Sequence, residues 1–359
     1  MSDLDTTTTA VLTLPDAIDR FLADPTTGTR HTARTYATGL KRLLAYVETT
    51  GRDPAQAPAS LIGVQFALDW VSWLLDDQVV SERTLMTYLA AFSRFVRFLH
   101  TRALTDLDAD EVLRLQSELR QVRRVHKPPV RHLRLPSEDD VVALVQAARS
   151  IQVTDDDERA ELRRLRDIAM LELLRSSGIR VSELVSLRRR DIERPQAVPR
   201  TDSPNTPGSH SGRIRVMGKG RRERWAYADA DAWAALNAYL LARAPFDGAT
   251  GRALGGLPLF ARHDRRAGSA ILPMTTRSVQ YVIEHLADRA GLTEQMISPH
   301  SLRHYFATRV LRATGNLAVV QDLLDHQSPQ TTRIYAEVDE REKEAAHRMA
   351  FGKGDKLSS

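Results

Sequence analysis

Apolar residues recur at every third or fourth position through the first hundred residues of this chain, which is the spacing of a buried helix face. One stripe consists of Tyr36, Leu40, Leu43, Leu44 and Val47. A second consists of Leu85, Tyr88, Leu89, Phe92, Phe95, Val96 and Leu99. Two shorter runs of apolar residues, within 18–22 and 64–74, predict two further helices. The pattern predicts a compact domain of four or five helices over residues 13–124, preceded by a flexible tail at 1–12.

A basic segment that contains prolines follows this domain. Residues 119–137 include no acidic side chain but carry Arg120, Arg123, Arg124, Lys127, Arg131 and Arg134. Because three prolines disfavour a continuing helix, we predict a linker at 125–137. Two interpretations stay open: the cations contact DNA, which we favour, or they form a solvated strap without a partner. The first assigns DNA binding to Arg123, Arg124 and Lys127.

The second half of the chain predicts a different domain. With 359 residues the chain exceeds one ordinary domain, and Ser137 is a suitable cap for a helix that opens a second domain over 138–340. Residues 213–216 and 224–228 flank a Gly-Lys-Gly turn and predict two strands of a small sheet. The stretch 193–212 is rich in Pro, Ser and Thr and indicates an insertion. The predicted fold class is mainly α with a small β-sheet (α+β), ending in a tail at 341–359.

Composition narrows the classes of function. The absence of cysteine excludes disulfides, cysteine nucleophiles and thiolate metal sites, and fits a reducing compartment. No apolar run approaches the roughly 18 residues that span a bilayer, and the Thr-rich start does not resemble a signal peptide. We therefore expect the protein in the cytoplasm. The net charge of +5 points to a polyanionic partner.

Six residues of the second half form a set suited to phosphodiester chemistry. They comprise two arginines, a lysine, two histidines and a tyrosine: Arg180, Lys219, His300, Arg303, His326 and Tyr335. Cationic donors neutralise the charge that builds on phosphate oxygens, and a tyrosine hydroxyl is able to attack phosphorus.

The surroundings of Arg180 predict a turn between two helices. Gly178 is expected to end a helix that starts near Leu165. Ser182 is expected to cap the next helix, over 183–190. Arg180 then lies beside a helix N-terminus, where anions bind readily.

The surroundings of His300 and Arg303 predict the first turns of a helix. Ser298 and Pro299 are its cap and first residue, and His300 and Arg303 lie three positions apart on one face. His304 is expected to be structural. A zinc site at the two histidines is set aside, because the segment lacks the glutamate of a zinc protease helix.

These contexts resemble the tyrosine recombinase/integrase family. The resemblance lies in four motifs: SGIRVSEL at 177–184, MGKGRRER at 217–224, PHSLRH at 299–304 and LLDHQSPQTTRIY at 323–335. It implies that the six residues above are catalytic, with Tyr335 as nucleophile and Lys219 as general acid for the departing 5′ oxygen. It also implies that Glu183 orients the site from behind. The residues that it implies beside the DNA backbone are Arg221, Arg222 and Arg224.

The resemblance further implies how such a protein works. It would clamp double-stranded DNA between its domains and cleave through a 3′-phosphotyrosine, with no metal or nucleotide cofactor. Four protomers, in a homo- or hetero-tetramer on paired sites, would exchange strands, and the segment 340–351 is the candidate for docking on a neighbour. The two-domain layout looks closest to Xer-type site-specific recombinases, which implies chromosome or plasmid dimer resolution at the nucleoid. One departure is Asp325, where family members generally show glycine; it puts a carboxylate close to the phosphate.

Three alternatives stay open. The insertion at 193–212 and Asp325 leave room for a mobile-element integrase of the same build. A type IB topoisomerase would use similar residues to relax supercoils as a monomer. A DNA-binding protein without catalysis is the third, and the complete set of six residues argues against it.

Overall fold

The structure is a computed structural model of the 359-residue chain, and it describes residues 12–76, 80–128, 135–154, 157–193, 212–218, 222–264, 267, 270–295 and 297–325. The chain divides into two compact units, Met1–His132 and Leu133–Ser359. The boundary between them falls within the predicted 125–137 linker, whose residues 129–134 lie outside the described ranges. The two tails and the finer domain bounds stay predictions.

The described part of the first unit is a bundle of five helices around one core. The apolar stripes predicted for its second and fourth helices supply much of that core, with Leu40, Leu43 and Phe95 fully buried. Trp70 of the third helix packs on Phe92 of the fourth, with 4.8 Å between ring centroids. The helices are α1 (Leu14–Ala23), α2 (Arg30–Thr49), α3 (Val64–Asp76), α4 (Glu82–Thr101) and α5 (Ala109–Val125).

The second unit packs its helices around a small antiparallel sheet. The strand order is β1 (Ile192–Glu193), β2 (Gly212–Met217), β3 (Glu223–Ala228). One face of β2 is buried through Ile214 and Val216. The fold class, mainly α with a small sheet, is confirmed. The helices of this unit are α6 (Glu138–Arg149), α7 (Glu158–Ser177), α8 (Val181–Ser186), α9 (Ala230–Gly248), α10 (Thr276–Arg289), α11 (Pro299–Thr314) and α12 (Leu317–Leu324).

Two elements of this unit differ from the prediction. Helix α7 begins at Glu158 rather than near Leu165, because Asp157 caps it by accepting a hydrogen bond from the backbone N–H of Ala160 (2.8 Å). Its first turns are rich in charged residues and show no apolar stripe, so periodicity alone misses them. The short strand β1 was not predicted either, since two residues are too few to show alternation. Residues 194–211 of the predicted insertion lie outside the described ranges.

A buried polar network supports the core of the second unit. Arg243 of α9 is fully buried with Asp247, 3.0 Å from its Nε, and donates to the carbonyl of Leu259 at 2.8 Å. The Tyr239 hydroxyl lies 2.9 Å from His263 Nε2. Burial first, and then the charge of nearby arginines, lowers the pKa of His263 to about 3, so this imidazole is neutral at physiological pH.

No helix in the described ranges is long and apolar enough to cross a membrane.

Candidate active site

A tight turn between α7 and α8 presents Arg180. Gly178 ends α7 in the left-handed conformation (φ 60°), as predicted, and any side chain there would clash with the ring of Phe306 on α11. The prediction that Ser182 caps a helix over 183–190 is wrong: α8 spans Val181–Ser186, and Arg180 itself is the N-cap residue. Glu183 is the third residue of α8 and accepts the backbone N–H of Arg180 at 2.7 Å, which is the return contact of a capping box and places the helix start at Val181.

Glu183 joins two arginines from separate elements. Its carboxylate is 4% exposed. Besides the Arg180 backbone, Oε1 accepts from Arg180 Nη1 at 2.9 Å and Oε2 accepts from Arg224 Nη2 of β3 at 2.8 Å. A buried carboxylate is stable only when such donors surround it. Glu183 therefore holds both guanidinium groups in place.

Three arginine side chains converge on the C-terminal end of α12. Backbone carbonyls at a helix C-terminus lack partners within the helix and carry partial negative charge, so they attract cations. Here each of three successive carbonyls accepts from a different arginine. The pairs are Arg224 Nη1 with Leu323 (3.0 Å), Arg303 Nη2 with Leu324 (2.5 Å) and Arg180 Nη2 with Asp325 (3.2 Å). The chain continues from this point directly into His326.

Helix α11 positions Arg303 and the two histidines. Its predicted start at Ser298 and Pro299 is confirmed. Arg303 is buried and also donates to the carbonyl of Gly178 at 2.5 Å, which ties α11 to the end of α7. His300 Nε2 lies 2.9 Å from His304 Nε2.

Electrostatics favour the neutral form of His300. Partial burial of the ring, followed by the charge of Arg303, lowers the pKa of His300 below its ordinary value. Among the described residues, no group of three or more His, Cys, Asp or Glu side chains is placed to hold a metal ion.

The structure brings part of the predicted site together. Arg180 and Arg303 meet at the end of α12, and His300 lies on the same turns of α11 as Arg303. Lys219, His326 and Tyr335 lie outside the described residues, and their roles stay predictions.

The predicted DNA-binding residues divide between the two units. In the first unit Arg124 and Lys127 are exposed, whereas Arg123 is partly buried, and burial lowers the pKa of its guanidinium. In the second unit Arg222 is exposed, and Arg221 lies outside the described residues. Contact of these residues with DNA stays a prediction.

Arg224 makes contacts that its sequence context did not predict. Its side chain is only 11% exposed and contacts Glu183 and α12 rather than solvent. The alternation of β3 was the signal for this placement. Arg224 pairs with Val216 and shares a strand face with Ala226 and Ala228, both buried.

Comparisons with known proteins identify the family. The sequence profile described as the phage integrase family matches residues 137–342, more than half of the chain. Tyrosine recombinase XerC of Syntrophus aciditrophicus is 28% identical over 326 residues, which cover 89% of this chain and 91% of the relative. Tyrosine recombinase XerD of Pseudomonas putida is 32% identical over 294 residues, which cover 81% of this chain and 83% of the relative.

A solved structure shares the fold. The XerH site-specific recombinase bound to difH substrate, in a pre-cleavage complex, superposes with a TM-score of 0.62. The match covers 89% of this chain and 79% of that chain at 18% identity, so it concerns the fold alone. The sequence profile and the two relatives show the family as well as the fold. The chain belongs to the phage integrase family and is a tyrosine recombinase, an enzyme that breaks and rejoins DNA strands.

Proposed function

We propose that this tyrosine recombinase acts on paired specific sites in double-stranded DNA and resolves chromosome or plasmid dimers. Its similarity to XerC and XerD, along 89% and 81% of its length, supports this role over that of a mobile-element integrase. Four copies would assemble on two sites at the nucleoid, with the predicted tail at 341–359 docking between neighbours. Double-stranded DNA as the partner is supported by the basic net charge and by the DNA-bound state of the XerH structure.

The proposed chemistry begins with attack by the Tyr335 oxygen on the scissile phosphorus, and the hydroxyl proton passes to solvent water. The bond from phosphorus to the 5′ oxygen breaks, Lys219 supplies the proton to that oxygen, and a 3′-phosphotyrosine remains. Arg180 and Arg303, with His300 and His326, would stabilise the charge on the non-bridging oxygens. Attack by a 5′ hydroxyl of another strand then reverses the step.

One observation carries this proposal: guanidinium groups from three elements converge on the end of α12. Such a cluster of positive charge, held by a buried carboxylate, is suited to a phosphodiester whose charge grows during reaction. The cluster immediately precedes His326 in the chain and lies ten residues before Tyr335.

Tyr335→Phe should bind its DNA site nearly as well as the unchanged protein but form no covalent adduct. The substitution removes one hydroxyl and leaves the charged surface intact. Denaturing gels of the protein incubated with nicked DNA measure the adduct, and Tyr281→Phe, an exposed tyrosine on α10, is the matched control. An adduct formed by Tyr335→Phe would assign the nucleophile to another residue.

The cellular role needs a separate experiment. Covalent capture on chromosomal DNA of the native host should recover one discrete sequence, and loss of the protein should raise the fraction of dimeric chromosomes. Capture at the ends of a mobile element would assign the integrase role instead. Relaxation of a plasmid that lacks the recovered sequence would favour the topoisomerase alternative.

Affinity for DNA should fall steeply with salt, and the combined substitution of Arg123, Arg124 and Lys127 with alanine should flatten this dependence. Each phosphate contact contributes about 0.9 to the slope of log K against log salt, so the slope should fall by about 2 to 3. Fluorescence anisotropy at several salt concentrations measures it.

A control removes the same charge from exposed positions of the first unit, Arg20, Arg52 and Arg83. An equal change of slope in both triple variants would return residues 119–137 to the interpretation of a solvated strap.

A further inference from the structure

Asp325 adopts a backbone conformation that disfavours most residues. It ends α12 with φ 51° and ψ 51°, in the left-handed region. Glycine occupies this region at no steric cost, and aspartate and asparagine are tolerated there better than other side chains. A strained position that carries a charged side chain near the reacting groups warrants a functional explanation.

The side chain of Asp325 faces Arg180. Its Oδ2 lies 3.8 Å from Arg180 Nη1, which is the distance of an ion pair without a hydrogen bond. The Arg180 side chain is 35% exposed and that of Asp325 21%. Glu183 holds one side of the same guanidinium, so the Asp325 carboxylate is a second anion, located toward solvent.

The carboxylate also occupies space at the base of the β2–β3 hairpin. A Cβ atom on Gly218 would lie 2.5 Å from Asp325 Oδ2, and Gly218 is itself held by a hydrogen bond from its N–H to the Arg222 carbonyl (2.8 Å). Gly218 directly precedes Lys219. The position between Arg180 and the hairpin is therefore filled by a negative charge.

We propose that the Asp325 carboxylate competes with the scissile phosphate for Arg180 and thereby lowers the affinity of the free site for phosphate groups. This inference rests on the proposed function, in which Arg180 binds the phosphate. Phosphate and carboxylate are both anions, so they repel each other beside the same guanidinium, and each weakens the binding of the other. Asp325 keeps the site in a low-affinity state until docked DNA displaces it.

The test uses Asp325→Asn in the full-length protein, with inorganic phosphate as the probe. Asparagine keeps the size of the side chain and tolerates the left-handed backbone, so folding is preserved. The dissociation constant of phosphate follows from the rise in Tm with phosphate concentration, at constant ionic strength maintained with chloride. We expect it to fall about three- to fivefold, because a partly exposed ion pair contributes up to about 1 kcal/mol. Asp325→Gly should lower the dissociation constant of phosphate by at least the same factor.

Two controls make the result specific. Asp322→Asn removes the same charge from an exposed position on α12 and should leave the phosphate constant unchanged. In an Arg180→Ala background, Asp325→Asn should not change the affinity for phosphate, because the ion pair between Arg180 and Asp325 is already absent. Three results would overturn the proposal. They are a phosphate dissociation constant that Asp325→Asn does not lower, one that Asp322→Asn lowers equally, and one that Asp325→Asn still lowers when Arg180 is absent.

A second measurement separates this inference from the proposed function. On nicked DNA that carries the captured chromosomal site, Asp325→Asn should form its covalent adduct at three- to fivefold lower DNA concentration than the unchanged protein. If the unchanged protein forms no adduct with any DNA, the proposed function fails, and the phosphate titration still decides the competition. If adducts form and the titration shows no gain, only the competition fails.

Discussion

Replacing Lys219 with alanine should slow cleavage of ordinary DNA by about a thousandfold, and sulfur at the 5′ bridging position should restore most of that rate. A 5′ alkoxide is a poor leaving group, so a positioned general acid accelerates its departure about 10²- to 10⁴-fold. A thiolate leaves without a proton, so the variant no longer needs the missing donor. Single-turnover cleavage of paired oxygen and sulfur substrates measures the effect.

Substitutions of the neighbouring arginines test whether the rescue is specific for the proton donor. Sulfur should raise the cleavage rates of Arg180→Ala and Arg303→Ala far less. The proposed role of these two arginines is to stabilise charge on the non-bridging oxygens, which sulfur at the bridging position does not replace. Arg222→Ala removes an exposed cation from the same hairpin and should keep the sulfur-to-oxygen rate ratio of the unchanged protein. If sulfur rescues the arginine variants and not Lys219→Ala, the donor is another residue, with His300 and His326 as the next candidates.

Glu183→Gln should lower the cleavage rate about a hundredfold and the free energy of unfolding by about 2 kcal/mol. Loss of one partner from a buried ion pair costs about 3–5 kcal/mol, and the cost is smaller here because glutamine keeps some hydrogen bonds and Arg180 is partly exposed. The rate falls because displacement of a catalytic group by about 1 Å costs on the order of a hundredfold. Urea unfolding and single-turnover cleavage give the two quantities.

The matched control for Glu183→Gln is Glu223→Gln, which removes an exposed carboxylate from β3 next to Arg224. We expect its free energy of unfolding to stay within about 0.5 kcal/mol of the unchanged protein, as for most surface substitutions. Similar losses in both variants would show that the charge of Glu183, and not its contacts with Arg180 and Arg224, is responsible.

Local signals in the sequence predict much of this fold because they depend on neighbouring residues. Ser137 and Ser298 cap helices where predicted, and Gly178 ends α7. The hairpin of β2 and β3 follows from alternation around a glycine-containing turn. Each of these features needs only a few residues in sequence to determine its geometry.

The site itself depends on contacts between distant residues, which local signals do not reveal. Arg303 and Gly178 are joined by a hydrogen bond although 125 positions separate them. The inward placement of Arg224 depends on a carboxylate 41 positions away. Family motifs predicted Arg180, Glu183 and Arg303 as residues of the site, whereas the acceptors that hold the two arginines became evident only in three dimensions.

The arrangement at the end of α12 makes the three arginines mechanically interdependent. A shift of this helix end by the length of one hydrogen bond would break or strain all three contacts together. The end of α12 is therefore one point at which the positions of three guanidinium groups are set, so a small displacement there alters the whole cationic cluster at once.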